Sequence, residues 1–236
     1  MMKSTIDEIR ARFDADVERF SSLETGQSAT IDAPLVLELV TQAAAATTPG
    51  ATALLDLGCG AGNYSLKFLE QVPNVDVTLV DLSAPMLERA AQRVGAATSG
   101  QVVTLQGDMR ELDFALEKYS VILAAATLHH LRDESEWRAL FAKLFASLKP
   151  GGSIWISDLV EHSSDAVQNL MWRRYGEYLS QLKNEQYRDD VFAYIAKEDS
   201  PRPLLWQIDR LRECGFVGAE VLHKNSCFAA FGAVKP

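Results

Sequence analysis

Between residues 50 and 160, short apolar runs alternate with helix-patterned stretches, and few folds satisfy that rhythm. The runs are Ala53–Leu57, Val75–Val80, Val102–Gln106, Ser120–Ala126 and Ser153–Ser157, each rich in Val, Ile, Leu or Ala. Strands of this kind are covered on both faces, which is the pattern of a parallel sheet. Helical spacing fills the gaps: Tyr64–Val72, Pro85–Val94 behind the cap Ser83, and Glu134–Leu148, stopped by Pro150-Gly151-Gly152. The expected fold class is α/β with a doubly wound, mostly parallel sheet.

Two segments fall outside that rhythm. Residues 6–20 carry Ile6, Ile9, Phe13, Val17 and Phe20 at three- and four-residue spacing, which predicts an amphipathic helix. The polar, turn-rich SSLETGQSATIDAP follows, then a second helix over Ala33–Ala46. Residues 165–200 read as a helical insert that mixes Trp172, Tyr175, Tyr178, Tyr187 and Tyr194 with Arg173, Arg174, Lys183 and Arg188. After a helix at 203–213 come two runs, Gly218–His223 and Cys227–Val234, too close together for a parallel return, so they predict an antiparallel hairpin. At 236 residues the chain suits one elaborated domain. Its parts are a helical cap (1–48), a core (50–160), a lid insert (161–202), and a last helix with the terminal hairpin (203–236).

Composition narrows the partners. With 47% hydrophobic and 23% charged residues the chain is globular rather than disordered. A net charge of -9 repels polyphosphate and argues against nucleic acid. The N-terminal MMKSTIDEIRARFDADVERF is too charged for a signal peptide, and no apolar run approaches the ~18 residues of a membrane span. Cys59, Cys214 and Cys227 are too scattered for a zinc site or disulfides and fit a reducing compartment, so a cytoplasmic location without a metal is expected.

The chemistry concentrates at strand ends. In LLDLGCGAGNYSLKF, residues 54–68, a strand carrying Asp56 runs through Gly58, Cys59, Gly60 and Gly62 straight into a helix. Side-chain-free backbone there admits a ligand, although an ordinary tight turn would use glycines too. The spacing is GxGxG, and Asn63 stands where a dinucleotide fingerprint has its third glycine. Asp81, followed by Leu82, closes the second strand, where a carboxylate can accept both hydroxyls of a ribose. Asp108 follows the third strand, placed to accept an adenine amine while Met109 packs on the ring.

The segments LLDLGCGAG, VTLVDLS, GDM, YSVILAAATLHHL and LKPGGSIWISD, in this order, make the chain resemble the class I S-adenosylmethionine-dependent methyltransferases. The resemblance implies a seven-stranded sheet of order 3-2-1-4-5-7-6 with strand 7 antiparallel. It also implies S-adenosyl-L-methionine as cofactor, leaving as S-adenosyl-L-homocysteine, and a site built from Asp56, Gly58, Cys59, Gly60, Gly62, Asp81, Leu82, Asp108, Met109 and Ala125. The FDADVERF segment, the ATLHHL turn, the insert and the ending also look like the small bacterial enzymes related to carboxy-S-adenosylmethionine synthase. That family has a polar residue at the place of Ala125 and an insert arginine that grips an extra carboxylate, for which Arg188 is the nearest match, displaced by about one position.

Methyl transfer needs alignment more than acid–base machinery, so no triad is required. His129 and His130, after the fourth strand, are the candidate bases for an acceptor that must lose a proton. Asp158 and Glu161 sit on the same rim, Phe13 and Gln27 are expected over the cofactor, and Trp172, Tyr175 and Arg188 are the lid residues placed to recognise substrate. Four functions stay open: methyl transfer to a small-molecule substrate, a synthase that modifies the cofactor's sulfonium, a non-catalytic cofactor-binding module and, most distantly, a nicotinamide oxidoreductase. A homodimer is open as well.

Overall fold

The computed structural model describes residues 3–22 and 26–236; residues 23–25 of the turn-rich stretch lie outside the described residues. The strands are β1 (Ala53–Leu57), β2 (Asp76–Asp81), β3 (Val102–Gln106), β4 (Tyr119–Ala125), β5 (Leu148–Leu159), β6 (Val217–Asn225) and β7 (Phe228–Val234). They form one sheet of order β3-β2-β1-β4-β5-β7-β6. β7 runs antiparallel to both neighbours and the remaining pairs are parallel, as the sequence implied.

The helices are α1 (Ile6–Ala15), α2 (Val17–Ser21), α3 (Ala33–Thr47), α4 (Asn63–Leu69), α5 (Ala84–Gly95), α6 (Glu134–Ser147), α7 (Asp165–Leu182), α8 (Glu185–Glu198) and α9 (Leu204–Glu213). Successive side chains of a strand point to opposite faces, so each buried strand feeds two cores. Leu55, Leu57, Ile122, Ile154 and Ile156 meet Trp137, Phe141 and Leu144 of α6 and Leu211 of α9. Leu54, Leu79, Leu123 and Trp155 meet Val40 of α3, Phe68 of α4 and Ala90 of α5. No helix among the described residues is long and apolar enough to cross a membrane.

Three expectations about elements are corrected. The single N-terminal helix is two: Asp16 leaves helical geometry (φ -113°, ψ 14°) while its N–H bonds to Phe13 O, a tightened last turn. The break brings Phe20 to 5.6 Å from Phe13, ring centre to ring centre, whereas seven residues of unbroken helix would span about 10 Å. The insert is likewise divided, because the Asn184 side chain accepts the Tyr187 N–H and starts α8 afresh. β5 begins at Leu148 rather than Ser153, since a register irregularity opposite Tyr119 and Val121 carries the Pro-Gly-Gly within the strand.

Candidate active site

The turns after β1, β2 and β3 open on one crevice, lined among others by Asp56, Gly58, Cys59, Gly60, Asp81, Leu82, Asp108 and Met109. The three glycines there have different reasons. A Cβ on Gly58 would lie 2.3 Å from Thr127 Oγ1, so this glycine admits the β4 turn. Gly62, at φ +83°, starts α4 and lies 3.0 Å from Val94 by the same measure; it does not line the crevice. Only at Gly60, φ +49°, would a Cβ meet nothing within 4 Å, so of the three this one presents bare backbone to open space.

Asp81 ties the loop to β2. Its Oδ2 accepts the Gly60 N–H at 2.9 Å and its Oδ1 the Ser83 N–H at 2.9 Å. Burial raises its pKa against the pull of those bonds. Asp56 is 1% exposed, accepts the Ser65 hydroxyl at 2.6 Å, and is pushed up to about 6 by burial. Burial also lifts the Cys59 thiol well above its usual range, which makes it a neutral wall group.

Asp108 differs from its expected form. Both carboxylate oxygens accept from the Arg110 guanidinium, which also pairs with Glu136 at 2.8 Å. Burial opposes ionisation, yet the Arg110 bonds hold the Asp108 pKa below normal. The carboxylate lines the crevice as half of a clamped ion pair, and Met109 remains the apolar face beside it.

At the end of β4 the crevice is lined by Ala125, Ala126, Thr127 and His130, and from the N-terminal segment by Phe13, Phe20 and Gln27. Phe13 and Gln27, expected over the cofactor, line this crevice. Ala126 has φ +51°, an uncommon left-handed geometry for a residue with a side chain. Ala126 and Thr127 carry no sequence signal of their own beyond the small-residue run AAAT at 124–127, and Tyr64, which also lines the crevice, carries none.

The two histidines separate. His130 lines the crevice, 6.1 Å from the Phe13 ring. His129 does not line it: its Nδ1 bonds Asp158 Oδ1 and its Nε2 lies 3.6 Å from Asp199 Oδ1. Burial would hold His129 uncharged, but the Asp158 and Asp199 charges outweigh it and lift the ring to about 9. His129 is therefore removed as a base, because both ring nitrogens face carboxylates away from the opening. Burial, with the His129 and Arg132 charges, pushes His130 well below the ordinary range.

Asp158 is also corrected, from a carboxylate on the rim to a 3%-exposed brace. Besides His129 it accepts the N–H groups of Leu128 and Leu159, at 2.8 and 2.7 Å. Asp199 had no sequence signal, since it lies 70 residues from His129 and arrives only because the Ser200 N–H bonds His129 O at 2.7 Å.

The insert residues expected to recognise substrate lie away from the crevice. Tyr175 is buried, stacks on Trp172 at 5.8 Å, and donates its hydroxyl to Ala29 O at 3.0 Å. Tyr178 donates to Ser28 O at 2.8 Å. Neither Trp172 nor Tyr175 lines the crevice; with Tyr178 they pin the loop that carries Gln27 and Thr30, which do. Arg188 is not among the crevice residues either and pairs with exposed Asp189 at 2.8 Å. Its place on α8, rather than its residue type, prevents the expected contact.

A sheet of this order, with a glycine loop and an acidic residue at the adjoining strand end, is the class I S-adenosylmethionine-dependent methyltransferase architecture. A family profile described as "Methyltransferase domain" matches residues 54–152. The carboxy-S-adenosyl-L-methionine synthase of Actinobacillus succinogenes is 34% identical over 189 residues, 76% of this chain and 75% of that protein. The synthase of Hydrogenovibrio crunogenus is 29% identical over 190 residues, 77% of this chain and 72% of that one. The crystal structure of Burkholderia thailandensis 1,6-didemethyltoxoflavin-N1-methyltransferase, with its substrate and S-adenosylhomocysteine, aligns with a TM-score of 0.62 at 21% identity, covering 100% of this chain and 92% of that one. The chain belongs to the S-adenosylmethionine-dependent methyltransferases, among the relatives of carboxy-S-adenosylmethionine synthase. It is an enzyme of that family, whose cofactor is S-adenosylmethionine.

Proposed function

We propose that this enzyme transfers the methyl group of S-adenosylmethionine to a small-molecule acceptor by in-line displacement. The observation that carries this reading is the single crevice walled by the turns after β1, β2 and β3 and continuing to Ala125, Thr127 and His130. Gly60 would lie along the methionine part, Asp81 would hold the ribose, and Leu82 and Met109 would flank the adenine. Asp81 already accepts backbone N–H groups, from Gly60 and Ser83 among others, but a carboxylate has about four acceptor positions, which leaves acceptor capacity for the ribose.

The cofactor, when bound, supplies a methyl group on a cationic sulfur. The chain's contribution is enclosure and alignment, and alignment alone can lower a barrier by ~7–11 kcal/mol. Phe13, Phe20 and Ala125 form apolar wall and keep water from the reacting end. His130 is the polar ring there that can engage the acceptor.

A second reading, a synthase that modifies the cofactor's sulfonium, is favoured by the names of the curated relatives. Against it, Arg188 is paired with Asp189 outside the crevice, and Arg110, the arginine that does line it, is clamped by Asp108 and Glu136. Mass spectrometry of nucleoside released from the purified protein separates the two, together with incubation with methyl-labelled S-adenosylmethionine and a panel of amines, phenols and carboxylic acids. Label appearing in an acceptor alongside S-adenosylhomocysteine is expected. Released nucleoside heavier than S-adenosylmethionine by a carboxylate, with no label moved, would replace methyl transfer by the synthase reading.

A further inference from the structure

We infer that His129, His130 and Asp199 form a binding site for one divalent first-row metal ion of the zinc class, with an open position toward the cofactor crevice. His129 Nε2, His130 Nδ1 and Asp199 Oδ1 all lie within 4.8 Å of one another. Asp199 Oδ1 is 3.6 Å from the first nitrogen and 3.5 Å from the second. A tetrahedral ion with bonds of about 2.0–2.2 Å holds its donors roughly 3.4 Å apart, so the two separations from Asp199 need little adjustment.

Two further observations point to a ligand. His130 Nδ1 and Asp199 Oδ1 are both buried with no hydrogen-bond partner, although they face each other across 3.5 Å. A buried polar atom left without a partner is costly, and a cation between the two removes that cost at both. Of the nearby cationic side chains, Lys3 and Arg132 do not supply it, and the His129 ring, 3.6 Å from Asp199, would release its Nε2 proton on binding the ion. Lys3 donates to the carbonyls of Ala196 and Asp199, and Arg132 to those of Glu198 and Ser4.

The third ligand is already oriented. Asp158 bonds His129 Nδ1, which leaves Nε2 aimed at Asp199, and a carboxylate behind a histidine is the usual support of a metal-bound imidazole. Two imidazoles and one carboxylate suit zinc, cobalt and iron(II) rather than calcium or magnesium, which take oxygen ligands. Because His130 lines the crevice, a further coordination position would be reachable by water or by an oxygen of the acceptor. Three scattered cysteines gave the sequence no metal site; the fold assembles one from histidines and a distant carboxylate. The inference does not depend on methyl transfer being the reaction.

Metal titration of the full chain, with no cofactor added, tests it. Cobalt(II) should bind at one equivalent with ligand-field bands of a four- or five-coordinate centre, and zinc should displace it. Asp199→Asn and His130→Gln should each weaken binding by about 100-fold or more, and Asp158→Asn by roughly 10- to 100-fold. X-ray absorption at the zinc edge of the wild-type complex should show two imidazoles, a reading that needs no variant to fold. No stoichiometric binding of either metal, or a centre with any other number of imidazoles, would overturn the site.

Discussion

Gly58 and Thr127 hold the ends of β1 and β4 together: a Cβ on the glycine would overlap the threonine Oγ1 at 2.3 Å and its Cβ at 2.6 Å. This contact sets the floor of the crevice, and it distinguishes glycines that the sequence presents as equivalent. Gly58→Ala should destabilise the protein by about 2–4 kcal/mol, from overpacking plus a left-handed backbone at φ +68°. Gly60→Ala has open space before it and should cost only about 1 kcal/mol in stability, while its methyl group narrows the crevice and should weaken S-adenosylmethionine binding. Thermal unfolding and calorimetry with S-adenosylmethionine check the pair; equal unfolding shifts for both variants would refute the distinction.

Asp81 joins two roles, fastening the Gly60 turn and facing the crevice. Asp81→Ala should weaken S-adenosylmethionine binding by roughly 10- to 150-fold, since one charge-assisted hydrogen bond is worth about 1.5–3 kcal/mol. Calorimetry measures it, and unchanged affinity would dismiss the ribose assignment.

The buried Asp56 makes stability depend on pH. Its folded pKa of about 6 lies above the unfolded value near 3.9, so the folded state binds its proton more tightly. Its contribution to stability is therefore fully present below about pH 4 and lost as the pH rises through about 6. Two units correspond to about 3 kcal/mol. Asp56→Asn, which has no proton to lose, should gain on the wild type by up to that amount between pH 4 and pH 7. Denaturant unfolding across that range is the measurement, and a difference that does not vary with pH would contradict it.

Glu198, fully buried on α8, receives the Arg12 guanidinium of α1 at 2.8 Å and the Ser4 hydroxyl at 2.6 Å. These bonds tie the N-terminal cap to the insert across the crevice side of the sheet. Arg12→Ala leaves a buried carboxylate with Ser4 alone and should cost about 3 kcal/mol. Limited proteolysis should then cut the first 22 residues sooner than in the wild type; identical digestion would mean that the ion pair does not hold the cap.

Arg188 provides the opposite case. Its partner is exposed Asp189, and such a pair contributes about 0–1 kcal/mol. Arg188→Ala should leave both cofactor affinity and methyl transfer within about twofold of wild type. A large loss in either would return Arg188 to the substrate site.

Much of the molecule is legible in the order of its amino acids. The apolar runs from Ala53 to Ser157 locate the five parallel strands, and the short spacing before Cys227 foretells the antiparallel strand. Strand character depends on local pattern and on burial of both faces, and both are written in consecutive residues. The loop at Gly58–Gly62 and the acids at Asp81 and Asp108 follow from their positions at strand ends.

What tertiary packing alone decided are the relations between residues far apart in the chain. Which glycine presents bare backbone to open space depends on Thr127 and Val94, and Arg110 determines whether the Asp108 carboxylate is free. Which histidine opens on the crevice depends on Asp158 and on Asp199, carried in by the lid. Periodicity tells a side chain which face of its own element it occupies; it carries no record of the partner that another element brings to that face.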